Sequence, residues 1–380
     1  MIFLSEIRNR CCLGIILLGL IACRLPAQDT LPQPDTARVR IIFCGDIMGH
    51  DSQISGAWDP ETESYDYEPT FRYIKDYIIA ADVAIGNLEV TLAGPPYKGY
   101  PAFSSPDELA IEARKAGFDV MVTANNHALD RGKKGFSRTL DILDSLEFFR
   151  AGSYRDSLER AGHHPLIFEV NGFRLALLNY TYGTNGLTIP PPFQINRIDT
   201  AIMRYELKKA LDVRPDYSIV FIHWGNEYER EENKTQDDLA KFLLSNGADA
   251  VIGSHPHVVQ PVKYMEYTRD SLRSGPVVFS LGNFVSNQRA QYKDGGIVAE
   301  VNLMKIDGNI FLESLDYLPY WVWRKDNPSG RSTFFVLPVA LYEKYPENFD
   351  LLPGDVFRLE RFAGDTRDHL RGAVESDFYK

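Results

Sequence analysis

Residues 39–46 have the sequence Val-Arg-Ile-Ile-Phe-Cys-Gly-Asp, a short apolar run that ends in a glycine and an aspartate. Short runs rich in Val and Ile between turn residues predict buried β-strands. Five more apolar runs lead in the same way to polar side chains, namely Asn87 and Glu89, the Asn125-Asn126-His127 triplet, His223, the His255/His257 pair, and Asn283.

Segments with helical spacing lie between most of these runs, and strands that alternate with helices predict a layered α/β fold. The predicted helices cover 69–80, 106–116, 133–147, 199–212 and 235–246. After about residue 295 the pattern changes to antiparallel strands at 297–304, 310–317 and 334–339. We expect these strands to extend the second sheet of a sandwich, and residues 354–380 to form a helix or a frayed tail.

The polar residues at the predicted strand ends supply the donors of a divalent metal site. In sheets flanked by helices, ligands bind where the loops leave the strand ends. A carboxylate such as Asp46 is a natural first ligand, although Asp also caps helices and occupies turns. Glu89 can bridge two cations, or it can be an exposed acid of a loop. We therefore interpret the chain as an enzyme with a metal cluster.

Histidines strengthen this interpretation because they gather at the same strand ends. Residues i and i+2 of an extended segment face the same side, so His255 and His257 can converge with His223. His127 can act as an acid that is oriented by Asp130, three residues further on. The alternative for that triplet is an Asx-turn with a surface histidine. We expect His163, His164 and His369, which lack this context, to lie at the surface.

Composition excludes some classes of partner. The chain has 380 residues, a 44% hydrophobic share and a formal net charge of -11. It is long enough to bury a sizeable core. Phosphate repels an acidic surface, so we expect no nucleic-acid partner.

The N-terminus predicts export from the cytoplasm. Arg8 and Arg10 precede a short apolar stretch, which is typical of a signal peptide over residues 1–27. Leu20-Ile21-Ala22-Cys23 has the form of a bacterial lipobox that would place a lipid on Cys23, whereas Leu25-Pro26-Ala27 allows ordinary cleavage before Gln28. Residues 28–38 predict a tether. Cys44 is the one cysteine beyond the signal region, so no internal disulfide can form.

The motifs also carry a family resemblance as a set. In order, they are Gly45-Asp46, Gly86-Asn87-Leu88-Glu89, Asn125-Asn126-His127 with Asp130 and Gly132, His223-Trp224-Gly225 with Glu227-Tyr228, Gly253-Ser254-His255-Pro256-His257, and Leu281-Gly282-Asn283-Phe284. Together they resemble the bacterial CapA-type poly-γ-glutamate capsule-synthesis family, a branch of the calcineurin-like metallophosphoesterase superfamily. The resemblance implies a four-layer α/β/β/α sandwich over residues 39–300, completed by 301–380.

The resemblance also implies roles for individual residues. Two divalent ions of the Mn, Fe or Zn kind would be bound by Asp46, Glu89 as the bridge, Asn126, His223, His255 and His257, with His127 as the catalytic acid. We expect a further set to contact substrate or support these ligands: His50, Asn87, Glu227, Tyr228 and Asn283. Two positions depart from the pattern. Met48 stands where the superfamily has His, and thioether is a poor ligand for hard cations. His50 stands where the CapA branch has Arg, and it would bind the metal or the substrate anion.

The function implied is that of a metal-dependent hydrolase-like enzyme of the cell envelope, in the periplasm or anchored to the membrane through a lipid. It would act on an anionic polymer or a phosphoester within an envelope complex that makes capsule, poly-γ-glutamate or another anionic exopolymer. The alternative is a noncatalytic envelope protein that tethers an anionic polymer or helps to export it.

Overall fold

The computed structural model describes residues 36–328 and 330–379. The predicted signal peptide, Cys23 and most of the predicted tether lie outside these residues. The first strand begins at Thr36, so the last three residues of the predicted tether belong to the sheet. No helix within the described part of the chain is long and apolar enough to cross a bilayer.

The strands are numbered in chain order. They are β1 (Thr36–Ile47), β2 (Trp58–Asp59), β3 (Ser64–Tyr65), β4 (Val83–Leu88), β5 (Val120–Val122), β6 (Phe149–Ala151), β7 (Ser153–Tyr154), β8 (Leu166–Val170), β9 (Phe173–Thr181), β10 (Gln194–Ile195), β11 (Tyr217–His223), β12 (Ala250–Ser254), β13 (Val262–Thr268), β14 (Leu272–Val278), β15 (Asn283–Val285), β16 (Gly295–Ile306), β17 (Asn309–Asp326), β18 (Ser332–Pro338) and β19 (Val374–Glu375).

The α-helices are numbered in the same way. They are α1 (Asp51–Ala57), α2 (Glu68–Phe71), α3 (Lys75–Ile79), α4 (Asp107–Ala116), α5 (Gly132–Ser145), α6 (Ser157–His163), α7 (Thr200–Asp212), α8 (Lys234–Ser245), α9 (Val339–Lys344) and α10 (Pro353–His369), with a short 3-10 turn at Pro346–Asn348.

Two large sheets form the centre of the molecule. The first has the order β18-β17-β16-β1-β4-β5-β6, with β15 beside β1 and β19 beside β17. The second has the order β13-β14-β12-β11-β9-β8. Strands β1, β4, β5 and β6 are parallel in the first sheet, as are β9, β11, β12 and β14 in the second. The carboxyl ends of the parallel strands can therefore share an edge.

The layers follow from the two-residue alternation of buried side chains. Ile41 and Phe43 of β1 point into the core between the sheets, together with Ile219 and Phe221 of β11. Their sequence neighbours pack on the opposite faces of the sheets, under α2, α3 and α4 on the first and under α7 and α8 on the second. Both faces of both sheets are covered, and the strands accordingly read as continuous apolar runs. The predicted four-layer α/β/β/α sandwich is confirmed.

Helix ends form where capping residues predict them. In α4, Asp107 and Glu108 occupy the first turn, and Gly117 ends the helix in the left-handed conformation with φ of 109°. In α8, Asn233 and Gln236 form a capping box. The predicted helix at 69–80 is instead two short helices, α2 and α3, joined by turns.

The prediction for the C-terminal strands was wrong in one respect. Strands β16, β17 and β18 do not extend the second sheet; they continue the first, because β16 pairs antiparallel with β1 along most of its length. The period-2 pattern predicts a strand but carries no information on which edge it joins. The tail is a helix, α10, followed by the short strand β19 beside β17.

Candidate metal centre

Asp46 lies at the end of β1, fully buried between two neighbouring segments. A Cβ at Gly45 would lie 2.0 Å from the carbonyl oxygen of Gly282, so only glycine allows this approach. The backbone N–H of Asp46 donates to the same oxygen at 3.1 Å. On the other side, Asn87 at the end of β4 donates from Nδ2 to Asp46 Oδ1 at 2.8 Å. The Gly-Asp pair thus places the carboxylate at the edge where β1, β4 and β15 meet.

Glu89 is buried and its carboxylate is unsatisfied. Neither carboxylate oxygen has a hydrogen-bond partner among the described residues, and the side chain is 0% exposed. The nearest basic atoms are His223 Nε2 at 3.5 Å and His257 Nε2 at 4.0 Å. A buried carboxylate without a hydrogen-bond partner is costly, so this position fits a ligand for a cation.

His223, at the end of β11, brings the second sheet into the cluster. Its Nε2 lies 2.9 Å from Asn126 Oδ1 and its Nδ1 lies 3.0 Å from Ser254 Oγ. Asn126 is itself held by a hydrogen bond to Asn185 at 3.3 Å. The imidazole is therefore fixed at Nδ1 by a hydroxyl and directs Nε2 into the cluster, a common arrangement for metal-binding histidines.

His255 and His257 converge, but not through the extended backbone that the sequence suggested. Both residues have left-handed backbones, with φ of 97° and 59°. Their ring centroids lie 5.8 Å apart, and the His255 ring lies 4.7 Å from that of His223. Such conformations are strained for residues other than glycine and cluster at functional sites. The i, i+2 spacing thus predicted correctly that the two imidazoles converge, but the extended backbone assumed in that prediction is absent at these two residues.

The side chains form two potential ligand groups that share one carboxylate. Asp46, Glu89 and His223 make one group, and Glu89, His255 and His257 make the other, with the donor atoms of each within 4.8 Å of one another. Carboxylate oxygens with imidazole nitrogens suit borderline cations such as Mn²⁺, Fe²⁺ and Zn²⁺. His255 Nδ1 is also buried without a partner among the described residues. The residues therefore fit the binding of divalent cations, and Glu89 is common to both groups.

Burial and neighbouring charges shift the pKa values of the side chains in the cluster. Burial raises the pKa of Glu89 well above its usual range, and the charge of Asp46 adds to this effect. Burial also lowers the pKa of His223 to about 3 and that of His255 to about 2. Both rings are thus neutral at physiological pH, which is the form that binds a metal.

His257 and Asp46 form an ion pair within the cluster. Burial opposes both charges, but their contact at 3.0 Å outweighs it. The pKa of Asp46 is lowered to about 2 by the hydrogen bond and charge of His257, and the pKa of His257 is raised to about 9, chiefly by Glu89 and then Asp46. A cation at this place would replace the proton on His257.

His127 lies beside the cluster and is oriented by Asp130. Its Nδ1 lies 2.7 Å from Asp130 Oδ2, and Asp130 also accepts the backbone N–H of Phe103 at 2.8 Å. The Phe103 ring contacts the imidazole edge-on at 4.7 Å. Burial lowers the pKa of His127, but the Asp130 hydrogen bond and the charge of Glu89 raise it overall. The contact with Asp130 thus orients an imidazole next to the cluster.

Met48 and His50, the two departures from the family pattern, lie outside both ligand groups. The side chain of Met48 is 2% exposed and packs in the apolar core between the first sheet and its helices. His50 caps α1, and its Nδ1 lies within hydrogen-bond distance of Gln53 Oε1, at 3.0 Å, and of Asn287 N, at 3.2 Å. The structure thus gives Nδ1 of His50 a structural contact.

The residues expected around the ligands have different positions. Asn87 and Asn283 are buried in the cluster, where Asn283 Oδ1 lies 3.1 Å from His257 Nδ1. The Tyr228 ring lies 6.1 Å from that of His257. Glu227 is exposed and reaches the cluster only through its charge.

Of the histidines expected at the surface, His164 is buried, so that prediction was wrong. Its Nε2 lies 2.9 Å from Glu206 Oε2 in a network with Tyr180 and Arg160. A His-His pair at a helix end has no periodicity that distinguishes the buried ring from the exposed one. His163 is exposed and His369 is half-buried, and neither enters the metal centre.

Sequence reasoning did not assign four residues that help to build the site. Ser254 fixes His223, Asn125 donates to Asn87 Oδ1 at 3.2 Å, and Phe103 packs on His127. Tyr182 stacks on His223 at 6.2 Å and contacts His255 at 4.6 Å. Ser254 and Asn125 lie inside the motifs and could have been found there, whereas the aromatic residues follow no motif.

The protein thus combines a four-layer α/β/β/α sandwich with a buried cluster of Asp, Glu, Asn and His side chains at its strand ends. The chain belongs to the bacterial capsule synthesis protein PGA_cap family, whose model matches residues 40–288.

Two relatives carry capsule names. The capsule biosynthesis protein CapA of Bacillus anthracis is 28% identical over 306 residues, 75% of this chain and 70% of that protein. The PGA biosynthesis protein CapA of Bacillus subtilis is 30% identical over 269 residues, 65% of this chain and 63% of that protein, so the match spans less than two thirds of the latter.

Two solved structures follow a similar backbone path at low sequence identity. The NAD nucleotidase NadN of Haemophilus influenzae has a TM-score of 0.47 at 11% identity, covering 90% of this chain and 57% of that one. The calcineurin-like phosphoesterase YfkN of Bacillus subtilis has a TM-score of 0.47 at 13% identity, covering 88% of this chain and 99% of that one.

Proposed function

We propose that this protein is a metal-dependent enzyme of metallophosphoesterase type that acts at the cell envelope in the biosynthesis of poly-γ-glutamate or another anionic exopolymer. Its substrate would be an anionic polymer or a phosphoester, handled within an envelope complex that makes the polymer. The capsule names of the relatives support the process, and the donor cluster supports the chemistry.

The observation that carries the proposal is the buried, unpartnered carboxylate of Glu89. It belongs to both potential ligand groups, and neither of its oxygens has a hydrogen-bond partner among the described residues. In a purely structural role, burial of this carboxylate without a hydrogen-bond partner would cost stability. Between two cations, the same carboxylate would be a bridging ligand.

The residues divide the chemical work. Asp46, Glu89, Asn126, His223, His255 and His257 would hold two divalent cations, which would supply positive charge for an anionic substrate group and lower the pKa of a water molecule. The contact of its Nδ1 with Asp130 Oδ2, at 2.7 Å, orients the ring of His127. His127 would give the proton of its other nitrogen, Nε2, to the leaving group as a general acid. Tyr182 covers His223 and His255 and limits the access of solvent to them.

A metal analysis combined with a hydrolysis screen tests the proposal. We expect purified full-length protein to bind close to two equivalents of Mn, Fe or Zn. It should cleave either a phosphodiester or a γ-glutamyl amide, and chelation should abolish the cleavage. Absence of metal from protein supplied with all three ions would contradict the proposal.

A noncatalytic role in tethering or exporting an anionic polymer is the second candidate, and Met48 favours it. Because the Met48 side chain packs in an apolar core, the position supplies no ligand. Binding of a single equivalent of metal, together with polymer binding and no cleavage of either bond, would support this candidate over the enzyme.

Location at the envelope is proposed from the N-terminal sequence and from the relatives. Arg8, Arg10 and the apolar stretch after them are typical of a signal peptide. Lipidation at Cys23 would anchor the domain to the membrane surface and place the metal centre outside the cytoplasm.

A further inference from the structure

Lys293 lies beside the metal centre and rests on an aromatic ring. Its Nζ is 3.5 Å from the centroid of Tyr228, and the Tyr228 ring faces His257 with a centroid distance of 6.1 Å. Lys293 is half-buried and Tyr228 is 46% exposed. This lysine–tyrosine pair therefore lies where the buried cluster meets solvent.

The main chain of Lys293 is fixed relative to His257. Asn283 Nδ2 donates to the carbonyl oxygen of Lys293 at 2.8 Å and lies 3.3 Å from the carbonyl oxygen of His257. The Lys293 N–H donates to Ala290 at 3.0 Å. The next residue, Asp294, is buried and accepts the indole N–H of Trp321 at 2.9 Å. The lysine is thus a positioned cation on an anchored segment.

Tyr228 is held just as firmly. Its backbone is left-handed, with φ of 70°, and its N–H donates to Pro256 O at 2.8 Å, between the two histidines of the cluster. A left-handed conformation is uncommon for a bulky residue and persists where the surroundings impose it. The ring that carries the lysine is therefore tied to the His255-Pro256-His257 segment.

Three other lysines that lie over aromatic rings differ from Lys293 in one respect. Lys263, Lys305 and Lys325 contact Phe279, Phe173 and Trp323, and each also pairs with a carboxylate, of Glu232, Asp216 and Asp350 respectively. Among the described residues, Lys293 has the Tyr228 ring as its contact and no ion pair. In a chain with a net charge of -11, this is a positive charge left available beside the metal centre.

We propose that Lys293, supported by Tyr228, binds a second anionic group of the substrate, next to the group held at the metal centre. The inference rests on the proposed function and narrows its substrate class to polyanions with closely spaced charges. The second group can be a carboxylate, as in a γ-glutamyl polymer, or a phosphate, as in a phosphate polymer. Both would form a charge-assisted hydrogen bond with the ammonium group.

Binding measurements on the full chain loaded with Mn²⁺ test this inference. The probes are a short oligo-γ-glutamate, a short polyphosphate and inorganic phosphate, and the variants are Lys293→Gln and Lys293→Arg. Lys305→Gln is the matched control. Lys305 also lies over an aromatic ring, but it pairs with Ala37 of β1, which lies at the opposite end of that strand from Asp46.

We expect Lys293→Gln to weaken binding of one polyanion by about 10- to 100-fold, the value of one charge-assisted hydrogen bond. Its metal content and its affinity for inorganic phosphate should match the wild type. Lys293→Arg should retain most of the polyanion affinity, and Lys305→Gln all of it. The polyanion that responds identifies the second group as carboxylate or phosphate.

Equal polyanion affinities in the wild type and Lys293→Gln would overturn the inference. So would wild-type protein that binds metal and inorganic phosphate but neither polyanion, while the proposed function would stand. If the wild type binds no metal, the proposed function fails, and the comparison of wild type with Lys293→Gln on the two polyanions still decides the role of Lys293.

Discussion

The Nδ1 atom of His257 lies 3.0 Å from Oδ2 of Asp46, although the two residues are 211 positions apart in the chain. Asn283 Oδ1 lies 3.1 Å from the same nitrogen. The other nitrogen of the ring, Nε2, lies 4.0 Å from Glu89 Oε1. One edge of the imidazole thus faces orienting oxygens, and the other edge faces the carboxylate shared by the two ligand groups.

His257→Ala should lose metal and, with it, activity. The substitution removes a donor of one ligand group and leaves the Asp46 carboxylate without its basic partner. Metal content after dialysis, measured by mass spectrometry, should fall by at least one equivalent. His163→Ala is the control, because His163 is exposed and its Nδ1 contacts the backbone carbonyl of Glu159, which belongs to neither ligand group. Full metal retention by His257→Ala would contradict its role as a ligand.

His127→Ala should behave differently and keep its metal. His127 belongs to neither ligand group, and its Nδ1 faces Asp130. We expect turnover to fall by about 10²–10⁴, the usual contribution of a general acid, with metal content near that of the wild type. Metal analysis measures the metal content, and single-turnover rates on the substrate found in the hydrolysis screen measure the loss of activity. If this variant loses metal as completely as His257→Ala, His127 is a ligand and not the acid.

Glu89→Gln should lose most of the stabilisation that metal binding gives to the fold. Without metal the variant should be at least as stable as the wild type, because an amide replaces a buried carboxyl group that has no hydrogen-bond partner among the described residues. At a Mn²⁺ concentration about 100 times its Kd, the wild type should gain about 2.7 kcal/mol, and the variant much less. Thermal unfolding with and without Mn²⁺ measures this difference.

Glu360→Gln, an exposed change on α10, is the control and should gain as much from Mn²⁺ as the wild type. An equal gain in Glu89→Gln would show that Glu89 does not bind the cation. A large loss of stability in metal-free Glu89→Gln would show that the carboxylate has a structural role instead.

Local patterns predicted the α/β layering and the cluster, whereas the family resemblance implied the four-layer arrangement. Apolar runs with a polar end define strands, and the polar residues after these strands could be assigned to one site even when they are as distant in sequence as Asp46 and His223. Patterns do not encode how strands order across a sheet. This is why β16 was expected in the second sheet although it pairs with β1.

The local conformation and orientation of the site residues were the other features that the sequence did not predict. The left-handed backbones of His255 and His257 have no signature in composition, since glycine and not histidine usually marks them. Met48 was considered as a weakened ligand position, whereas its thioether packs among apolar residues. The hydroxyl of Ser254 and the ring of Tyr182 reach the cluster through tertiary packing that no single-sequence period reports.

Cys23→Ala should release the protein from membranes if Cys23 carries a lipid. Stable attachment to a membrane needs more than one acyl chain, because a single chain gives only marginal anchoring. The variant loses the residue that would carry the lipid, so it should lose this attachment. Fractionation of cells that express the wild type and the variant, followed by immunoblotting, measures the change. Cys12→Ala is a matched control within the same apolar stretch. Unchanged membrane association of Cys23→Ala would rule out the lipid, and wild-type protein in the cytosolic fraction would rule out export.

Glu206 forms the centre of a buried network away from the metal centre. Its carboxylate accepts hydrogen bonds from Tyr180 Oη at 2.7 Å and from Arg160, and His164 Nε2 lies 2.9 Å away. Burial alone would raise the pKa of Glu206, but these partners lower it to about 2. A carboxylate whose pKa is lower in the folded state stabilises the fold above its unfolded pKa, and that stability is lost as pH falls through the folded value.

Glu206→Gln should therefore lower the free energy of unfolding at pH 7, and the difference from wild type should shrink between pH 4.5 and pH 2. We expect a loss of about 2 kcal/mol at pH 7, less than the full shift implies, because Arg160 is partly exposed and solvent screens its pair with Glu206. Urea unfolding at pH 7 and at pH 3 measures both values. Glu68→Gln is the control, since its pair with Arg72 is exposed and should contribute less than about 1 kcal/mol. A difference between Glu206→Gln and wild type that is equal at both pH values would show that the charge of Glu206 does not stabilise the fold.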